Sequence, residues 1–451
     1  MDVDHQGCPP TLSGPEHAAA AIYIPPEILL AILAPIAPQR VMPPVIISFL
    51  KETEIQREIE YASERRNFAN LALVSPLFKG AVYHHLFRNL VILPSTDIVK
   101  LAAVLENYGS LVRTIIFDGI SSDLPYLLQP QCPDNIANRI TEMHRAVNRC
   151  FALANHAKEL EVYGHHVLFI PEIARSTWHR NCRIPEFSIP GDPLPVIQSL
   201  TWRCLPHRSD LDFRHALHRL GPNLEVLRVE MWKDLSVGAT PNMTLPISKL
   251  PKLRCLQIGY GQATFEDVNE LVQSTMFTND AGHTFTNLRQ LVIMEVEMIG
   301  EEQFLTLLRS NSLGSRLEHL SIFLAPTVRQ NHTHIQRTFS PSLPSSILQL
   351  CPSLRQFAYL NVATTDFSSD LPPSLASLRF TFQPDALTNN TRMSALADYI
   401  SSPNGANLRD LTIVLMGPID VGIQVSLEGV CARNRVRCDI REEKFPRFSN
   451  S

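Results

Sequence analysis

Over most of the chain the apolar positions follow one short rule: apolar, two variable residues, apolar, one variable, apolar. Clear copies are Leu224-Glu225-Val226-Leu227-Arg228-Val229, Leu253-Arg254-Cys255-Leu256-Gln257-Ile258, Leu288-Arg289-Gln290-Leu291-Val292-Ile293, Leu317-Glu318-His319-Leu320-Ser321-Ile322 and Leu408-Arg409-Asp410-Leu411-Thr412-Ile413. Leu354-Arg355-Gln356-Phe357-Ala358-Tyr359 and Leu375-Ala376-Ser377-Leu378-Arg379-Phe380 are close variants, and fainter copies start at Phe87, Val112, Ala157 and Ile197. The last two apolar residues of each copy are two apart, so on a strand they share a face. The first turns in from the preceding loop. One such strand cannot bury its face alone, but stacked neighbours can. Between copies, residues 265–272 and 301–308 keep helical spacing, as does a longer stretch at 135–157 carrying Ile136, Ile140, Met143, Val147 and Phe151. Strand, loop and helix in repetition predict an α/β solenoid with a parallel β-sheet on its concave face and a last strand at 436–440.

Residues alternating with the buried positions point the other way. They are Arg228, Glu230, Gln257, Gln290, Met294, His319, Phe323, Gln356, Arg379 and Thr412. Long polar and aromatic side chains on a rigid sheet suit protein recognition, which makes this face the candidate partner-binding surface.

The N-terminal region follows a different rule. In Ile24-Pro25-Pro26-Glu27-Ile28-Leu29-Leu30-Ala31-Ile32-Leu33, a Pro pair leads into a short apolar helix, where the missing proline N–H costs nothing. A second apolar helix is predicted at Leu71-Ala72-Leu73-Val74-Ser75-Pro76-Leu77-Phe78, directly before Lys79. Between them lie several prolines and a charged run at 51–66, where Ile55, Ile59 and Ala62 hold helical spacing and i,i+4 charge pairs are available. The expected organisation is a flexible leader at 1–21, a helical domain at 22–90 with an insertion at about 35–66, a repeat array at 91–440 and a polar tail at 441–451.

Composition narrows the function. At 45% hydrophobic and 19% charged, the chain can bury a full core. A formal net charge of −4 gives no basic excess to favour nucleic acid or an anionic membrane. The 9 cysteines are odd in number, widely spaced and without C-x-x-C, which argues for reduced thiols in the cytoplasm or nucleus and against a zinc module. The longest apolar stretch is broken by Pro35 and is too short to span a bilayer. The N-terminus lacks a secretory pattern. Paired histidines (His84-His85, His165-His166, His215 with His218, His332 with His334) lack accompanying ligands. G-x-S-x-G, P-loop and G-x-G-x-x-G patterns are absent, so no catalytic, cofactor-binding or metal-binding residue is assigned.

The Pro-Pro-Glu helix followed by Leu-Val-Ser-Pro-Leu-Phe resembles an F-box, the helical motif that docks a protein onto the adaptor of a cullin-based ubiquitin ligase. The repeats resemble a leucine-rich-repeat array, and with their degenerate spacing the whole resembles the fungal type of F-box protein. Copies are spaced by about 21 to 45 residues, against ~20–29 in regular arrays. The Asn or Cys expected eight residues after the first leucine is replaced by Trp232, Gly261, Val296 and Ala325, so these turns need other hydrogen-bond partners. The resemblance implies a non-enzymatic substrate receptor of an SCF-type ligase. Ile24, Pro25, Ile28, Leu29, Ile32, Leu33, Leu71, Val74 and Phe78 would meet an SKP-family adaptor, and through it cullin, while the repeats hold an unknown target protein. Two alternatives stay open: an F-box-like repeat scaffold without a ligase role, and a repeat-fold enzyme or regulator with its site in loops at 162–195 or 230–250.

Overall fold

The computed structural model describes residues 24–38, 51–92, 96–118, 145–146, 148–163, 196–204, 217, 220–231, 250–261, 287–296, 300–309, 312–324, 327–330, 333–336, 339–363, 368–382, 389–415 and 421–442. The expected helix at 265–272 and the start of that at 135–157 lie outside them. The chain divides into two compact units, Met1–Leu86 and Phe87–Ser451.

The second unit is α/β, built on one sheet of 12 strands that pair in sequence order. The strands are β1 (Asn89–Ile92), β2 (Thr114–Asp118), β3 (Glu159–Tyr163), β4 (Ser199–Cys204), β5 (Val226–Met231), β6 (Cys255–Gly261), β7 (Gln290–Val296), β8 (His319–Leu324), β11 (Gln356–Ala363), β12 (Ser377–Phe382), β13 (Asp410–Leu415) and β14 (Arg437–Glu442). Every neighbouring pair is parallel. A separate antiparallel hairpin, β9 (Thr327–Gln330) with β10 (Thr333–Gln336), follows β8. Strand β14 runs two residues beyond the expected array end, because Arg441 and Glu442 keep pairing with Val414 and Leu415.

The register sets equivalent apolar residues side by side. One buried row passes through Leu200, Leu227, Leu256, Leu291, Leu320, Phe357, Leu378 and Leu411, and a second through Trp202, Val229, Ile293, Ile322, Tyr359, Phe380 and Ile413. Helices close this face. In α4 (Ile98–Tyr108) the Asp97 side chain caps the first turn by accepting from the Lys100 amide at 3.1 Å, and Ile98, Ala102 and Leu105 turn inward. In α5 (Glu301–Arg309) Phe304, Leu305, Leu307 and Leu308 are buried, with acids in the first turn and Arg309 in the last, as the helix dipole favours. Helices α6 (Leu313–Arg316), α7 (Leu343–Leu350), α8 (Asn389–Ser401) and α9 (Val421–Arg433) extend the layer.

Two backbone devices recur at the starts of the strands. The residue after the first apolar position donates its amide to the carbonyl of its counterpart one repeat earlier: Arg113 to Arg88, Lys158 to Arg113, and so on to Arg437 on Arg409, all at 2.7 to 2.9 Å. Just before it, a tight turn joins the first apolar amide to the carbonyl three residues back. Val112, Leu224, Leu317 and Leu408 donate to Gly109, Gly221, Gly314 and Gly405 at 3.0 to 3.2 Å. A Cβ on Gly109, Gly314 or Gly405 would stand 2.4, 2.5 or 2.2 Å from the carbonyl oxygens of Leu153, Leu350 and Tyr399. Glycine there permits the close approach. Arginines complete the turn: Arg113 Nη1 donates to Ser110 and Val112 carbonyls at 2.8 and 3.0 Å, and Arg409 Nη1 to Ala406 and Leu408 at 3.0 and 3.2 Å.

At the far end of the strands the missing asparagine reappears once, one residue early. A bulge in β11 after Tyr359 turns Asn361 inward, where its Nδ2 donates to the Leu324 carbonyl at 2.7 Å and its Oδ1 accepts the Leu324 amide at 2.8 Å. Helix α9 ends in a Schellman motif. The amide of Val436 donates to Cys431 at 2.8 Å and that of Arg435 to Ala432 at 3.2 Å, with Arg435 at φ 58°.

In the first unit, α1 (Pro26–Leu33), α2 (Lys51–Asn70) and α3 (Pro76–Arg88) gather Leu29, Leu33, Phe68, Ala81 and Val82 into a small core. Ser75 caps α3, its Oγ accepting the Phe78 amide at 3.2 Å, and Pro76 occupies the first helical position. The described parts of the insertion are residues 35–38 and α2 as far as Arg66. Its Arg65 donates to the Leu86 carbonyl at 3.2 Å and to the Tyr61 hydroxyl at 3.1 Å, while a ring nitrogen of His85 lies 3.1 Å from the Leu30 carbonyl.

Gly405→Ala is expected to lower the thermal unfolding midpoint, since the new methyl meets backbone, whereas Gly429→Ala inside α9, with only Arg433 Nη1 near at 3.7 Å, is expected to raise stability by about 0.5–1 kcal/mol. Asn361→Leu strands both polar groups of Leu324 and is expected to lose about 3 kcal/mol in a denaturant titration.

Candidate functional site

Two surfaces carry the candidate residues, one in each unit. On α1 the apolar residues separate into two stripes. Leu29 and Leu33 face the core at 1% and 2% exposure, while Ile28 and Ile32, one position earlier, stand 52% and 57% exposed. Ile36, in the short turn that follows, continues the outward stripe at 60%. Of the other residues in the adaptor set, Ile24, Leu71 and Phe78 are half-buried against the core, whereas Pro25 and Val74 are exposed. Leu73 and Leu77, beside Val74, are exposed too. Ile36, Leu73 and Leu77 were not among the sequence candidates. Their signal was available: Ile36 continues the four-residue spacing of Ile28 and Ile32, and no charged residue lies between positions 28 and 38. Their exposure makes these aliphatic residues the candidate docking surface of the first unit.

On the sheet, the face opposite the helices is built in rows. Gln290, His319 and Gln356 stand side by side at the starts of β7, β8 and β11. One pleat further on, Arg228 pairs with Gln257, and the same row continues through Val292, Ser321 and Ala358 to Arg379 and Thr412. Beyond that, Met294 is paired with Phe323, and Glu230 with Gly259. The structure thus brings Gln290, His319 and Gln356 together, and Met294 with Phe323. Arg228 and Arg379 lie in one row, five inter-strand steps apart. Val292, Ser321 and Ala358, absent from the sequence candidates, fill the interval; their small or aliphatic side chains gave no functional signal. His319 Nε2 lies 3.0 Å from Ser321 Oγ, and burial holds the imidazole below its ordinary pKa.

Burial governs the thiols as well. It pushes Cys150 and Cys351 up to about 12 and raises Cys255, which keeps all three protonated at neutral pH. Between α9 and β14, a hydrogen bond joins Cys431 and Cys438, lowering the first and raising the second. Among the described residues, no group of three or more His, Cys, Asp or Glu is placed to hold a metal ion, and no helix is long and apolar enough to cross a membrane. Most of the loops at 162–195 and 230–250 lies outside the described residues. A scan against protein-family models and a search of curated proteins gave no match to this chain.

The depressed His319 pKa fixes the sign of a pH effect. Below histidine's ordinary value, near 6.5, the unfolded chain takes up a proton that folded His319 resists. That part of the stability is present above this value and is lost as pH falls through the folded pKa. His319→Gln is therefore expected to lose less stability than wild type between about pH 7.5 and about pH 5.5, measured as thermal midpoints at both.

Proposed function

We propose that this chain is the substrate receptor of an SCF-type ubiquitin ligase. The helical unit, which resembles an F-box, docks on an SKP-family adaptor through the outward stripe of α1, and the leucine-rich-repeat-like sheet holds a target protein on its open face. The observation that carries this reading is the division of α1. Leu29 and Leu33 anchor the helix, while among the described residues Ile28, Ile32 and Ile36 remain exposed. Withdrawing each such side chain from water contributes on the order of 1–2 kcal/mol to a helix-in-groove contact.

Several features agree with it. The Ser-Pro capping of α3 and the ties from Arg65 and His85 make the unit a defined bundle despite the insertion. The single-file parallel sheet offers a broad, rigid face built from one strand per repeat. On this reading the protein supplies position, and its buried Cys150, Cys255 and Cys351 are packing residues of the sheet unit. Held between adaptor and target, it converts a bimolecular encounter into an effectively intramolecular one. The residues bound to do this work in the cell would be found in the cytoplasm or nucleus, where such ligases operate.

The test is a pull-down with purified SKP-family adaptor. The intact chain is expected to bind, Ile28→Asp/Ile32→Asp to lose at least about tenfold in affinity, and Val425→Asp, an exposed change on α9, to bind as wild type. Leu33→Asp is unsuitable because that side chain is core. Absence of adaptor binding by the intact chain would overturn the ligase reading and leave a repeat scaffold.

A further inference from the structure

Across four adjacent strands, β6, β7, β8 and β11, the described outward side chains from the first strand residue to the Met294–Phe323 level include no carboxylate, lysine or arginine. In a chain that is 19% charged this is a marked gap. The middle row shows its limits: Gln257, Val292, Ser321 and Ala358 are uncharged, with Arg228 on β5 closing one end and Arg379 on β12 the other. His319 sits inside the gap, and its buried setting keeps it neutral at physiological pH. Uncharged surface of this kind can be covered without stranding a buried charge, and Met294 and Phe323 supply apolar area to cover. The guanidinium groups at the two ends give the surface an electrostatic pattern as well. The nearest carboxylates in the same row are Glu161, two strands outside Arg228, and Asp439, two strands outside Arg379 and held low by its hydrogen bond to Arg441 and in part by the Arg379 guanidinium; Glu230 lies one pleat beyond Arg228 on β5.

The spacing gives the partner a length. Five inter-strand steps of about 4.8 Å separate Arg228 from Arg379, roughly 24 Å, which is the reach of about seven residues of extended chain. We propose that the target contributes an extended segment laid across these strands, with uncharged, partly apolar residues over Val292, Met294 and Phe323 and a carboxylate near each end, one meeting Arg228 and the other Arg379. This deepens the reading of the sheet face as the target-binding surface and rests on it; adaptor docking plays no part in it.

The experiment pans the full chain against a displayed library of random peptides of about twelve residues, followed by fluorescence anisotropy with the synthetic form of the most enriched peptide. Enriched sequences are expected to share two Asp or Glu residues flanking about five uncharged positions. Arg228→Gln and Arg379→Gln are each expected to weaken that peptide by about fivefold or more, and Val425→Asp to leave it unchanged. Enrichment without the paired acids, no enrichment, or binding indifferent to both arginine changes would overturn the proposal. The adaptor pull-down on the same preparation separates the two readings: adaptor binding with no acidic-ended peptide sinks this inference alone, while peptide binding without adaptor binding sinks the ligase assignment.

Discussion

The sheet unit depends on one repeated hydrogen bond, from the amide of the residue after each first apolar position to the carbonyl of its counterpart in the repeat before. That bond sets the register. Because a slip of one residue would turn every inward leucine outward, the burial of two apolar rows and the bond between equivalent residues enforce each other. The tight turn before β2, β3, β5, β6, β8, β11, β12 and β13 serves the same end, delivering the first apolar residue to the core at a constant offset. Between these fixed points the chain is free to vary, which is how copies 21 residues apart (Leu354 and Leu375) and 45 apart (Val112 and Ala157) enter one continuous sheet.

The strand positions were the most legible part of the fold. A run such as Leu224-Glu225-Val226-Leu227-Arg228-Val229 states its own inside and outside, and Leu227 and Val229 are buried where that spacing puts them. The small residue three positions before the first apolar one was overlooked, although Gly109, Ala154, Gly221, Gly314, Cys351 and Gly405 form a visible series once the turn is known. Asn361 was illegible for a different reason. A bulge displaces it by one position, and bulges answer to tertiary geometry rather than to local pattern. On α1 the sequence offers Ile28, Leu29, Ile32 and Leu33 as equals. Only the packing of Phe68, Ala81 and Val82 decides which pair goes in.

Charge is distributed by the same logic. The residues that carry the repeated backbone bond include Arg88, Arg113, Lys158, Arg254, Arg289, Arg355 and Arg409, against Glu225 and Glu318. Some of these cations return to carbonyls of their own turn, and others pair along the edge, Arg254 with Glu225 at 3.8 Å and both Arg289 and Arg355 with Glu318 at 3.9 and 3.8 Å. As exposed pairs they add little stability individually. Their positions leave the middle of the open face uncharged, so edge and face are electrostatically distinct although a single residue separates them in the sequence.

The order of the strands bears on how the chain reaches this state. Among the described strands, each in the large sheet finds its partner in the one just before it, with the β9–β10 hairpin stepping aside. No strand waits for a distant segment, so the loop-closure entropy is met in small instalments, and the sheet can lengthen rung by rung while the polypeptide is still emerging from the ribosome.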